Sequence, residues 1–322
     1  MKKTLPFLPL CLSLIGCALP VSSTSSAASN APATASSQLV PSSEEGDFSA
    51  DASADSVDVL KEDYHPEGYN LTWSDEFDGD TLSLANWDYE IGNNNGWGNN
   101  EPEYYTDHNE TVGDGLLSIH AKKEETTVRI REQDVTFPYT SSRLVTRHKK
   151  YFTYGYMCAR IRLPLGDGMW PAFWMMPETN YGTQGHTWWP TCGEIDIMEA
   201  KGRFPEIAAG AIHYSSNGTG GQHAFNAREC NSFGRIDDFH VYAVEWTQES
   251  VTWIYDGTPF FSLHRSIWNG GYGTGDAAPF NRDFYFILNL AVGGNYDGGR
   301  LPPEDFQEAT MDVDYVRCYQ KD

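Results

Sequence analysis

The sequence predicts an all-β protein, an antiparallel sandwich of many short strands that begins near residue 67. Three observations predict it. Short alternating stretches recur at Leu117–Ala121, Tyr154–Arg162, Val241–Trp246, Val251–Tyr255, Phe284–Leu290 and Met311–Tyr319. Gly, Asn and Asp punctuate them, and Asp256-Gly257 directly after Tyr255 is a hairpin signal. Long amphipathic helices are missing, so there is nothing to serve as the crossover that parallel strands require.

Taken in order, the chain starts with Met1-Lys2-Lys3 and an apolar run from about Leu5 to Ile15, too short for a membrane-spanning helix and suited to a signal peptide. The run ends in Leu14-Ile15-Gly16-Cys17, which resembles a bacterial lipobox. Residues 1–16 are expected to be removed and Cys17 to carry the lipid, giving an exported lipoprotein held at the cell envelope or surface. Residues 17–66 are rich in Ser and Ala and then acidic, with almost no aromatics, and cannot bury enough apolar surface to offset their ordering entropy. They read as a flexible tether for a single folded domain at 67–322.

Composition narrows the partners. The formal net charge of −23 repels nucleic acid and sulfated polysaccharide at long range and favours a neutral polymer. Contact with a membrane is expected through the lipid alone, and the tethered domain is expected to be a monomer. Beyond Cys11 in the signal and Cys17, four cysteines remain, Cys158, Cys192, Cys230 and Cys318. An exported chain permits disulfides, and four cysteines allow three pairings among which the sequence does not choose.

The chemistry concentrates in Gly193-Glu194-Ile195-Asp196-Ile197-Met198-Glu199. On a strand, Glu194 and Asp196 project to one face while Ile195 and Ile197 project into a core. Glu199 has the opposite parity, so a β-bulge near Met198 is predicted to turn all three acids onto one face. Their mutual repulsion predicts that at least one keeps its proton near neutral pH, with Asp196 placed to hydrogen-bond either glutamate. One carboxylate that attacks and one carboxylic acid that protonates are what glycoside hydrolysis requires, about 5–5.5 Å apart for retention. Tryptophans crowd the flanks, in Gly168–Pro177 and at Trp188-Trp189, and Trp faces stack on the C–H faces of sugars.

At this point the chain resembles the laminarinase-like branch of glycoside hydrolase family 16. The residues that carry the resemblance are Trp73–Phe77, Gly96–Asn100 with Tyr104–Thr106, Ser142–Leu144, Gly168–Trp174, Gly193–Glu199, Phe239–Trp246, Asn289–Gly294 and Val313–Arg317. The resemblance implies a concanavalin A-like β-jelly roll of two curved antiparallel sheets, with the substrate on the concave face. It implies Glu194 as nucleophile, Glu199 as acid/base and Asp196 as the residue that tunes them. Trp170 and Trp174 would line subsites, Arg143, Asn100 and His213 would contact hydroxyls, and Trp97 and Trp189 would form rim platforms. Glu76 and Gly115 through backbone oxygens and Asp314 through its carboxylate match positions of a structural Ca2+. No cofactor is implied for catalysis. Two positions depart from the family's usual residues: Glu103 stands in place of Gln, and Cys192 in place of Ser. The resulting expectation is a retaining endo-β-1,3-glucanase acting on laminarin-like glucans and also on mixed-linkage β-1,3-1,4-glucans. The alternatives are a relative that cleaves a galactan such as agarose or carrageenan, and a non-catalytic β-glucan-binding protein.

Overall fold

The computed structural model describes residues 64–178, 188–216, 222–268 and 277–322. The signal, Cys17 and nearly all of the tether lie outside the described residues. One sheet has seven strands, in the order His223–Cys230, Ala208–Ser215, Glu194–Ala200, Met169–Pro177, Phe284–Val292, Arg143–Val145 and Asp88–Tyr89. All of its neighbours are antiparallel. The second, ten-stranded sheet runs Thr258–His264, Ser250–Tyr255, His240–Trp246, Gly155–Arg162, Glu308–Gln320, Leu116–Lys122, Tyr139–Ser141 and Glu103–Tyr105, with Asn70–Asp75 on Glu308–Gln320 and Glu110–Gly113 on Leu116–Lys122. The antiparallel expectation has one exception, because Glu103–Tyr105 pairs in parallel with Tyr139–Ser141. The long excursion between them, which includes the hairpin Thr126–Ile130 and Gln133–Phe137, supplies the return path that a parallel pair needs.

Alternation along the strands fills the space between the sheets. Phe173, Met175, Ile195, Phe286 and Leu288 from the seven-stranded sheet share one core with Met157, Ala159, Val244, Trp246 and Trp253 from the other. Each large side chain removed from water there contributes roughly 1.5–3 kcal/mol before entropy is subtracted. The opposite parity of the ten-stranded sheet, Tyr156, Cys158, Tyr315 and Tyr319, forms a second cluster with Tyr69, against which Tyr64 packs. His65 stacks on Tyr319 with ring centroids 4.6 Å apart. The folded body therefore takes in residues 64–66, which the sequence assigns to the tether. Cys192, Cys230 and Cys318 are buried thiols outside any disulfide, and Cys158 is buried as well. Cys192, at the entrance to the strand that carries the acids, is 1% exposed.

The predicted bulge is visible in the pairing. Glu194 pairs with His213, Asp196 with Ala211 and Glu199 with Ala209, so three steps along one strand match two along its neighbour. Toward Met169–Pro177, Asp196 faces Trp174 and Met198 faces Phe173, which makes Ile197 the extra residue, one position earlier than expected. A bulge leaves carbonyls without ladder partners. Here Trp253 Nε1 donates to the Asp196 carbonyl at 2.7 Å and the Tyr255 hydroxyl donates to the Ile197 carbonyl at 3.0 Å. Both donors belong to Ser250–Tyr255 in the opposing sheet. Trp253 reaches that position because the residue across from the bulge is Gly210, where a Cβ would lie 2.1 Å from Trp253 Cδ1.

Gly210→Ala should therefore push Trp253 off the bulge and destabilise the domain by about 2–3 kcal/mol, read as a lowered midpoint in denaturant unfolding. An unchanged midpoint would contradict this role for the glycine.

Candidate active site

Above the bulge, the seven-stranded sheet carries a cleft of about 530 Å³. Its floor is built from small residues on neighbouring strands, Ala172, Ala209, Ala211 and Ala227, which leave room for a ring above the acids. The register fixes this arrangement: Ala172 and Ala209 flank Glu199 on either side, and Ala211 lies beside Asp196. Trp97, Trp170, Trp174 and Trp189 stand around this floor.

All three acids face the cleft. Glu194 Oε2 accepts from Trp189 Nε1 at 3.0 Å, and Glu199 Oε1 accepts from Trp170 Nε1 at 3.0 Å. His213 Nε2 lies 3.2 Å from Asp196 Oδ2 and 3.8 Å from Glu194 Oε1. Asp196 was expected to hydrogen-bond one of the glutamates. Its close neighbour among the described residues is instead the His213 ring, and Oδ2 has no aligned hydrogen-bond donor. Burial dominates the electrostatics. It pushes Glu194, Asp196 and Glu199 each up to about 8, and the charge of Asp196 adds to the rise at both glutamates. Such a set releases its protons in coupled steps. An indole N–H and the charge of His213 work against the rise at both glutamates, and Lys201 adds to this at Glu199.

The walls are tied down from behind. Trp170 stacks on Tyr296 with centroids 5.0 Å apart. Trp174 Nε1 donates to Asn289 Oδ1 at 2.8 Å, and Asn289 Nδ2 donates to the Tyr105 hydroxyl at 3.2 Å. The Arg143 guanidinium lies over both Trp97 and Trp174, 4.4 and 4.8 Å from the ring centroids, while its Nε donates to Glu90 Oε2 at 2.6 Å. On the far side, His223 stacks on His213 and packs at a tilt against Trp189, and Phe225 continues the row by stacking on His213.

Of the residues singled out from sequence, Glu194, Asp196, Glu199, Trp97, Trp170, Trp174, Trp189, Arg143 and His213 come together in this cleft. Asn100 does not line it. Its backbone is left-handed, with φ 56°, and its amide donates to Asn295 Oδ1 at 2.9 Å, so Asn99 takes the cleft position. Sequence reasoning missed Glu101, Asn289, Tyr296, His223 and Phe225. Asn289 left a signal, a polar residue inside the apolar run Phe284–Val292. Tyr296 left none, because a loop places it.

The expected calcium position is less well supplied. Pairing of Asp75 with Val316 and of Leu117 with Val313 brings Glu76, Gly115 and Asp314 to one region of the ten-stranded sheet. The carboxylate of Asp314, however, accepts from Arg160 at 2.6 Å, and that of Glu76 is held by Arg317. The one side-chain ligand of the set is thus already neutralised, whereas calcium takes six to eight oxygens, anionic ones prominent among them. Among the described residues, Glu194, Asp196 and His213 converge as possible ligands, within 4.8 Å of one another, but they belong to the cleft.

An antiparallel sandwich whose aromatic cleft covers a bulged row of carboxylates has the form of a carbohydrate-processing domain. A family model described as "Beta-porphyranase A-D, GH16 domain" matches residues 69–321. The chain is 40% identical over 270 residues to glucan endo-1,3-beta-glucosidase A1 of Niallia circulans, covering 79% of this chain and 38% of that protein. It is also 40% identical over 261 residues to a beta-glucanase of Rhodothermus marinus, covering 78% of this chain and 85% of that one. Its structure matches the catalytic domain of an endo-1,3-beta-glucanase (laminarinase) from Thermotoga petrophila RKU-1 with a TM-score of 0.68 and 37% identity, over 79% of this chain and 98% of that one. The chain belongs to glycoside hydrolase family 16.

The raised acids carry a stability cost of definite sign. Below its ordinary value near 4.5, Glu199 is protonated whether folded or unfolded and costs nothing. Between there and about 8 the unfolded chain gives up the proton that the folded one keeps, so stability falls as pH rises. Glu199→Gln should leave Tm nearly unchanged at about pH 4 and raise it at about pH 8, where the gain in stability is on the order of 2 kcal/mol. Melting curves at the two pH values check this, and a gain that is equal at both would contradict it.

Proposed function

We propose that the chain is a retaining endo-acting hydrolase of β-1,3-glucan that also accepts mixed β-1,3-1,4-glucan. The observation that carries this reading is the bulge, which puts Glu194 and Glu199 on one face, on either side of Asp196 and over a floor of alanines. The β-1,3-glucanase relatives support the substrate. The Glu194 carboxylate attacks the anomeric carbon as the bond from that carbon to the bridging oxygen breaks, and Glu199 gives its proton to the departing oxygen. The Glu199 carboxylate then takes a proton from water, whose oxygen attacks the same carbon and releases Glu194. Asp196, paired with His213, adjusts how the two glutamates hold their protons. Trp170 and Trp174 stack the sugars on either side of the break, with Trp97 and Trp189 at the rim.

A galactan reading draws on the porphyranase description of the family model. Against a sulfated chain stands Arg143, the one Arg or Lys among the described cleft-lining residues, whose Nε is already paired with Glu90. A binder without catalysis has no use for three buried acids of raised pKa. Purified protein should release oligosaccharides from laminarin and much less from agarose or κ-carrageenan, and Glu194→Gln should lower kcat by about 10³-fold or more. Cleavage of the galactans alone would overturn the substrate and keep the chemistry.

Three further readings complete the proposal. The protein works as a monomer, to be read by light scattering. It is anchored through Cys17 after removal of residues 1–16, with 17–66 as a spacer, so Cys17→Ser should abolish incorporation of labelled palmitate. A calcium ion at Glu76, Gly115 and Asp314 would be structural and would have to displace Arg160 from Asp314. Chelation that leaves Tm unchanged would dismiss the ion.

A further inference from the structure

Glu103 has no exposed surface and no cation against it, and the catalytic proposal gives it no work. Its Oε2 accepts from the Val292 amide at 3.1 Å. Among the described residues its Oε1 receives no hydrogen bond, and the side chains within hydrogen-bonding reach of its carboxyl are the carboxyl of Glu101 and the hydroxyl of Tyr105, whose proton goes to Glu101. Two carboxyl groups can share a hydrogen bond only if one of them supplies a proton. Glu101 is the acceptor of the two, because its Oε1 accepts from Asn99 Nδ2 at 3.3 Å and its Oε2 from the Tyr105 hydroxyl at 3.1 Å.

We infer that Glu103 is a neutral carboxylic acid whose Oε1–H donates to Glu101, and that it is a positioning residue for the cleft wall built by residues 293–296. The route is short. The Val292 amide that Glu103 holds is followed by Gly293, whose amide donates to the Gly168 carbonyl at 2.8 Å, and then by Asn295, whose amide donates to the Asn99 carbonyl at 2.7 Å. Gly294 passes so close to Trp170 that a Cβ would lie 3.0 Å from its ring, and Glu101 presses on the same residue. Tyr296 then stacks on Trp170, whose indole N–H donates to Glu199. An anion at Glu103 would sit against the Glu101 charge and compete with it for the one proton of the Tyr105 hydroxyl. The loop would have to give way, and with it the seat of Trp170.

The charged and titratable groups around Glu103 favour its protonated form. Burial and the charge of Glu101 both raise it. Tyr105 is itself buried and pushed up. Arg143 acts on Glu101 and Tyr105 but is committed to Glu90. A Gln at this position would donate to Glu101 with its NH2 and could not titrate.

This inference rests on the glucanase reading, and the test separates the two. The full-length protein, Glu103→Gln and Glu103→Leu are compared on laminarin for KM and kcat from about pH 5 to about pH 9, with melting curves at the same pH values. The wild-type KM should rise about threefold or more relative to that of Glu103→Gln between about pH 7 and about pH 9, the cleft acids titrating alike in both, and Glu103→Leu, which loses the Val292 contact, should have a KM raised throughout. The Tm advantage of Glu103→Gln over wild type should widen as pH rises. Parallel KM profiles or a constant Tm difference for wild type and Glu103→Gln would overturn the inference. If laminarin is not cleaved by the wild type but the Tm difference widens, the substrate reading falls and the buried proton at Glu103 stands.

Discussion

One extra residue in one strand, Ile197, is the constraint on which the rest of the cleft depends. Without it, Glu199 would point into the core beside Ile195 and the cleft would hold two acids instead of three. With it, the polar row Glu194, Asp196, Glu199 lies opposite His213, Ala211 and Ala209, and the apolar set Ile195, Ile197, Met198 stays buried. The bulge survives because its exposed carbonyls are answered by Trp253 and Tyr255 from the opposing sheet, and Trp253 fits because residue 210 has no side chain. The two sheets are therefore coupled through the site as well as through the hydrophobic core.

Burial then turns geometry into chemistry. The apolar walls and alanine floor that admit a sugar ring also deprive three carboxyls of water, which raises all of them and leaves His213 and two indole N–H groups to decide where the charge rests. The same low-dielectric surroundings make the acids a liability for folding, so the cleft stores part of the domain's instability. A second buried carboxyl pair, Glu101 with Glu103, extends this logic behind the wall that carries Tyr296.

Much of this was legible in the sequence, for reasons that can be named. Strand alternation gave the elements, and the parity of Glu199 against Glu194 and Asp196 demanded a bulge, because side-chain direction in a strand has a strict period of two. What was illegible depended on contacts between distant positions. Nothing near Gly210 announces Trp253. The resemblance points to Asn100 whereas Asn99 lines the cleft, because the left-handed backbone at Asn100 cannot be read from an Asn-Asn pair. His223 and Phe225 sit on an edge strand whose exposure on both faces erases the apolar signal. At Asp314 the family pattern suggested a metal ligand, while the ion pair to Arg160 became visible only when Arg160 was placed opposite Tyr315.

The account stands most directly on the identity of the attacking group. A 2-deoxy-2-fluoro laminarioligosaccharide bearing a good leaving group should form a slowly hydrolysed glycosyl-enzyme, located by mass spectrometry of its peptides. The account predicts that the label is found on Glu194. A label on Asp196 or Glu199, or an inverted product with no adduct, would contradict it.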